Sequence, residues 1–159
     1  YGEILVRLAE QEGIPGTTLR LTSPIGLGIP AHRIVSVFVR KALSGEPLKL
    51  SGRGTRRQDY VDVRDVAAAV EACLASGPAG LCNLGSGRDM SNEELARACV
   101  SVLNSKSEIV FSGRPDPEEG IIWRVSIEKA RHRLGYEPRF SLEESIQSLA
   151  AAYAHCDSQ

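Results

Sequence analysis

Ile34, Val35, Phe38, Val39, Ala42 and Leu43 recur at the spacing of one helix face, and Gly45 and Pro47 close that run. On either side the apolar period changes. Thr17-Thr18-Leu19-Arg20-Leu21 is β-branched and short, and Leu48-Lys49-Leu50 is shorter still, so both read as strands. This switching recurs along the whole chain and constrains its fold more than any other feature. It demands an α/β arrangement of brief strands alternating with amphipathic helices. The strands are too few for a complete doubly wound sheet, so the pattern reads as part of such a protein.

The other elements follow from the same signals. Ile4, Leu5, Leu8 and Ala9 predict a first helix, ended by Gly13-Ile14-Pro15. Thr22 to Pro30, with Pro24, Gly26, Gly28 and Pro30, reads as a loop, and Ser51 to Arg57 as an arginine-rich turn. Asp59-Tyr60-Val61 predicts a strand, Val63 to Leu74 a helix with Asp62 as N-cap, and Leu81 to Leu84 a strand ending at Gly85-Ser86-Gly87. Ser91-Asn92-Glu93-Glu94 is a capping box for a helix that turns Leu95, Ala96, Cys99, Val102 and Leu103 inward. Ile109-Val110-Phe111 predicts a strand, Arg114 to Pro117 an irregular loop, and two helices finish the chain, Ser126 to Leu134 and Ser141 to about Ala154.

Composition narrows the function classes. The chain is 42% hydrophobic and 25% charged with a formal net charge of −1, which suits a folded core and disfavours a nucleic-acid binder. No apolar run approaches the ~18 residues that span a bilayer, and no signal-peptide pattern opens the chain, so the expected setting is cytoplasmic, with no membrane partner. Cys73, Cys82, Cys99 and Cys156 lack metal-ligand spacing and read as small buried hydrophobes. His32, His132 and His155 have no evident nucleophile partner, so no hydrolytic triad is assigned.

Two segments carry chemistry. Gly26-Leu27-Gly28-Ile29-Pro30-Ala31 matches G-x-G-x-x-A after a strand, but Pro30 removes a donor and no βαβ unit surrounds it. It reads as a functional loop of another kind than a dinucleotide fingerprint. Gly52-Arg53-Gly54-Thr55-Arg56-Arg57-Gln58-Asp59 offers three guanidiniums on a glycine-bracketed turn, suited to bidentate capture of a diphosphate. Composition alone favours a solvated charged turn, with a nucleic-acid patch as a third reading that Asp59, Asp62 and Asp65 weaken. Arg114-Pro115-Asp116 is a second cationic loop with the same surface-turn alternative. Asp62 and Asp65 at a helix start read as capping and dipole residues rather than an acid–base pair.

In order and spacing, these pieces resemble the carboxyl-terminal half of extended short-chain dehydrogenase/reductases, the NAD-dependent epimerase/dehydratase family exemplified by UDP-glucose 4-epimerases. The resemblance rests on Gly2 to Val6, Leu19 to Gly26, Gly52 to Val66, Cys82 to Gly87 and Ala130 to Pro138. It implies a Rossmann-type α/β fold in which residues 1–30 end the Rossmann-like part. Residues 31–159 then form mostly a substrate-binding lobe, with some elements returning to the Rossmann part.

The resemblance further implies NAD or NADP as cofactor and a nucleotide sugar as substrate. In the family a Gly-rich loop and a Tyr-x-x-x-Lys pair precede Glu3, which matches the acid four residues after that lysine on the same helix. The chain therefore reads as a fragment without catalytic residues of its own, one that binds no cofactor tightly and transfers no hydride. Tyr1 is not the family tyrosine, because Leu5 stands where lysine belongs. Leu21 and Pro24 fall at positions that meet the cofactor, and Ser23, Arg56, Arg114 and Asp116 at positions that meet the substrate. Gln58 replaces the family's arginine before Asp59. Arg56, two residues earlier on an extended segment, points to the same side and takes over its charge. The helix at residues 3–12 belongs to a pairing that makes homodimers in the family. A non-catalytic nucleotide-sugar-binding or interaction module is the rival reading.

Overall fold

The computed structural model of the protein describes residues 1–77 and 80–156, and the reading of Cys156 as a buried hydrophobe lies outside the described side chains. In chain order the elements are α1 (Gly2–Gln11), β1 (Thr17–Leu21), β2 (Ser23–Ile25), α2 (Ile34–Ser44), β3 (Leu48–Leu50), β4 (Arg57–Asp62) and α3 (Val63–Ser76). They continue with β5 (Gly80–Leu84), β6 (Asp89–Ser91), α4 (Asn92–Val102), β7 (Ile109–Phe111), α5 (Glu128–Leu134) and α6 (Leu142–Cys156). Among the described residues no helix is long and apolar enough to cross a membrane, and no group of His, Cys, Asp or Glu is arranged to hold a metal ion.

The α/β architecture expected from the sequence is present, divided among small, mostly parallel sheets. β1 lies parallel to β5 with Thr17 opposite Gly80, and β3 lies parallel to β7 with Leu48 opposite Ile109. β4 is central to the third sheet, parallel to β2 and antiparallel to β6. Two cores result. Ala69 of α3, Cys82 and Leu84 of β5, and Ala130 and Leu134 of α5 pack beneath the β1–β5 pair. A larger core gathers Phe38 and Val39 of α2, Leu95 and Cys99 of α4, Ile146, Leu149 and Tyr153 of α6, and Leu48, Leu50 and Tyr60 from the strands. The cysteine expectation holds here: Cys82 and Cys99 are buried and Cys73 is half-buried.

Local signals explain most boundaries. Gly45, at φ +73°, adopts the left-handed conformation that ends α2. The Asp62 carboxylate accepts from the Arg64 backbone N–H at 2.8 Å and caps α3, while Ser91 and Glu94 form a reciprocal capping box on α4. Asp65 stands in the first turn of α3, as the dipole role expects, and has a further role. It is 1% exposed and accepts from the backbone N–H groups of Arg139 and Phe140, pinning the approach to α6 onto α3.

Strands β2 and β6 went unpredicted, and β4 begins two residues before the expected Asp59-Tyr60-Val61 strand. β2 lies inside the expected Thr22–Pro30 loop, and β4 starts at Arg57, at the end of the expected turn. Both exist because they pair with each other, Ser23 opposite Tyr60 and Ile25 opposite Asp62. β6 is a three-residue strand whose only support is antiparallel pairing to β4, Arg57 opposite Ser91. α5 begins at Glu128 rather than Ser126, whose backbone carbonyl instead accepts from the Asn83 side chain at 3.3 Å.

Candidate functional site

The end of β1, the whole of β2 and the start of β4 converge on two adjoining cavities of about 540 and 480 Å³. The larger is lined by Ser23, Pro24, the Gly26–Pro30 stretch, the entry to α2, Arg56, Gln58 and Tyr60. The smaller is lined by Leu21, Asn83, Trp123 and Val125, and shares Thr22, Ser23, Arg56 and Gln58 with the larger. Gly26 leaves no room for a side chain: a Cβ there would lie 2.1 Å from a methyl of Val63. The G-x-G-x-x-A segment is therefore a cavity wall and not a helix N-terminus, since α2 begins only at Ile34.

A buried carboxylate holds the floor. Asp59 is 2% exposed and accepts from the Ser86 and Gly87 backbone N–H groups, each at 2.8 Å, and from the hydroxyls of Ser86 and Thr22. It thus ties the Gly85-Ser86-Gly87 turn to the segment joining β1 and β2. Neighbouring Gln58 accepts from the Ser23 hydroxyl at 3.3 Å.

The three arginines of the turn have different fates. Arg57 faces away from the cavities and is bound to Asp89 at 2.6 Å and to Glu94 at 3.0 Å. Hydrogen bonds from Arg124 and then Arg57 hold the Asp89 carboxyl down to about 2. Arg53 is 82% exposed and leans on Glu119 at 3.4 Å. Arg56 alone reaches both cavities. The expectation of three cooperating guanidiniums therefore reduces to one. The two-residue step from Arg56 to Gln58 does put both on one side, since both line both cavities.

Arg56 pairs with Glu118 at 2.5 Å, and its Nε is buried without a hydrogen-bond partner. The Tyr60 hydroxyl is also buried and unpartnered, and burial raises its pKa against a smaller opposing effect of Arg56. Of the residues singled out from sequence, Ser23, Pro24 and Arg56 meet at the larger cavity and Leu21 at the smaller. Arg114 and Asp116 line neither. They lie behind the arginine turn, where the Arg114 carbonyl accepts from the Gly52 N–H at 2.7 Å and the Asp116 carboxylate from the Glu118 N–H at 3.0 Å.

Sequence reasoning missed Arg33, His32 and Trp123. Arg33 and His32 line the larger cavity, and neither side chain has a partner among the described residues. Arg33 was visible in principle: it is the N-cap of α2, where a cation opposes the helix dipole and needs another reason to be there. Trp123 is 57% exposed on the smaller cavity, and its backbone N–H donates to the Arg57 carbonyl at 3.0 Å. The site as a whole offers guanidiniums, hydroxyls and an amide together with apolar and aromatic faces. That donor set suits an anionic ligand carrying a ring.

The fold and this cleft define a Rossmann-type α/β protein with its polar groups gathered at strand ends. Comparison makes the class specific. Residues 1–85 match the family described as NAD dependent epimerase/dehydratase. The dTDP-6-deoxy-L-talose 4-dehydrogenase (NAD(P)(+)) of Kitasatospora kifunensis is 31% identical over 160 residues, covering 94% of this chain and 50% of that protein. UDP-glucuronic acid decarboxylase 1 of Danio rerio is 30% identical over 141 residues, 86% of this chain and 33% of that protein. The crystal structure of a Thermotoga maritima UDP-glucose 4-epimerase with UDP-glucose superposes with a TM-score of 0.88 at 25% identity, covering 97% of this chain and 51% of that one. The chain belongs to the NAD-dependent epimerase/dehydratase family. It spans between a third and about half of the length of these relatives.

Proposed function

We propose that these residues form the substrate-holding side of an NAD(P)-dependent nucleotide-sugar epimerase or dehydratase. The observation that carries the reading is the meeting of Ser23, Gln58 and Arg56 at one cleft, with the unpaired Arg33 and His32 on its wall. Arg56 and Arg33 hold the nucleotide diphosphate, the hydroxyls of Thr22 and Ser23 orient it, and Trp123 offers a flat face to a ring. Arg114 and Asp116 act from behind the arginine turn, through the loop that carries Glu118. Fixing the diphosphate is what places the sugar carbon for reaction.

NAD(P), when bound, supplies hydride exchange with the sugar. Leu21, 44% exposed, and Pro24 give apolar surface that fits the nicotinamide end. The Gly26–Ala31 segment does not serve as a helix-terminus cradle for the cofactor's pyrophosphate on this reading, because it precedes α2 by several residues. No Tyr-x-x-x-Lys occurs among the 159 residues, so on this reading they transfer no hydride alone and bind the cofactor weakly. The elements through β2 and the β5, α3 and α5 group belong with the Rossmann part, and the α2–α4–α6 core belongs to the substrate lobe. The cytoplasm is the proposed setting, and α1, with Ile4, Leu5 and Leu8 all more than half exposed, is the proposed homodimer face.

The test is steady-state kinetics of the natural enzyme and its Arg56→Ala variant with a nucleotide sugar. KM is expected to rise tenfold or more, by the ~1.5–3 kcal/mol of a hydrogen bond to a charged group, with kcat falling far less. An unchanged KM removes Arg56 from the site.

A further inference from the structure

Arg56 is the one guanidinium common to both cavities, yet a carboxylate already sits on it. Glu118 Oε2 lies 2.5 Å from its Nη2, while Nε remains buried and unpaired. The Tyr60 hydroxyl, on a side chain 7% exposed, is an idle donor at the same place. A guanidinium presents parallel N–H groups that a carboxylate or a phosphate can take together, and Glu118 takes only part of this fork. An unused buried donor is costly, so the present pairing is incomplete. Glu118 itself is 42% exposed and has water to turn into.

The segment that carries Glu118 is held by a short set of bonds. Glu119 accepts from the Thr55 hydroxyl at 2.8 Å and the Arg53 N–H at 2.9 Å, and the Ile121 N–H donates to the Glu118 carbonyl at 3.1 Å. Beyond it, the Arg57 backbone N–H donates to the Ile121 carbonyl at 2.9 Å and the Arg57 carbonyl accepts from the Trp123 backbone N–H at 3.0 Å, along one short parallel bridge.

Resting on the reading of Arg56 as a diphosphate contact, we propose that Glu118 is a displaceable carboxylate that competes with the ligand's phosphate for Arg56. An entering phosphate meets Glu118 as a like charge, expels it, and engages Nη2, the idle Nε and the Tyr60 hydroxyl together. Release of Glu118 loosens the stretch that also carries Trp123, so the ligand remodels the smaller cavity as it binds. Glu118 thereby sets a threshold.

The experiment is calorimetric titration of UDP-glucose into the natural protein, Glu118→Gln, Arg56→Ala and the double variant, with amide hydrogen exchange of residues 116–123. Glu118→Gln is expected to bind about threefold to tenfold tighter, the scale of one ion pair, and to change affinity less than twofold when Arg56 is already Ala. In the natural protein UDP-glucose is expected to speed exchange at Ile121 and Trp123. Equal or weaker binding by Glu118→Gln overturns the proposal, as does slowed exchange in the natural protein should the variant fail to fold. If binding depends on Arg56 but not on Glu118, the competition alone falls. If folded natural protein and Glu118→Gln both fail to bind, the diphosphate reading falls with it.

Discussion

Replacing Asp59 by Ala removes the acceptor that joins three segments beneath the cleft. Among the described residues no cation pairs with this carboxylate; its burial at 2% exposure is offset by donors from Ser86, Gly87 and Thr22. Hydrogen bonds to a charged acceptor are worth about 1.5–3 kcal/mol each, and an abandoned buried donor costs about 1–3 kcal/mol. Ser86 is half-buried and Gly87 exposed, so water recovers part of the loss. The hydroxyls of Ser86 and Thr22 can also rotate to other partners. A net loss of about 2–4 kcal/mol follows, nearly all from the two backbone N–H groups. Asp59→Asn keeps one carbonyl acceptor and is expected to fall between the natural protein and Ala. Equilibrium urea unfolding followed by circular dichroism measures both. A loss below about 0.5 kcal/mol for Asp59→Ala, the range of ordinary surface changes, would refute the argument that this carboxylate holds the floor together.

Further outcomes follow from the same geometry. Asp89, held down to about 2 from an ordinary 3.8, stabilises the fold fully above pH 4 and loses that contribution as pH falls through 2. Thermal melts across this window should show a steeper acid loss in the natural protein than in Asp89→Asn, and parallel curves would contradict it. Gly26→Ala forces a methyl to within 2.1 Å of Val63 and should destabilise by about 1–3 kcal/mol, with Val63→Ala in the same chain restoring part of it. Arg33→Ala should weaken nucleotide-sugar binding more steeply at low salt than at high salt without lowering the melting temperature, because its side chain has no partner to lose. A lowered melting temperature with unchanged affinity would make it structural.

Much of the fold was legible because helix faces and caps are local. The α2 stripe, Gly45, the Asp62 cap and the Ser91–Glu94 box each appear within a few residues of sequence, and each is found in the structure. β2 and β6 were not legible because Ser23-Pro24-Ile25 and Asp89-Met90-Ser91 carry polar and turn-forming residues, where the equally short β3 and β7 carry apolar ones; each is a strand only by virtue of β4. The same division runs through the site. Arg56 was reachable through the two-residue alternation that relates it to Gln58. The pairing of Arg57 with Asp89, and of Arg56 with Glu118, joins residues too far apart in sequence for spacing to reveal. Trp123 reaches the cleft only because its stretch bridges to Arg57, a contact no local pattern encodes.

The most direct measurement is the phosphorus NMR spectrum of UDP-glucose titrated with the natural protein and with Arg56→Ala. The account predicts shifted or broadened diphosphate resonances with the natural protein, and a tenfold or greater weakening of that effect in the variant. Resonances that respond equally to both proteins, or to neither, would contradict the claim that Arg56 holds the diphosphate.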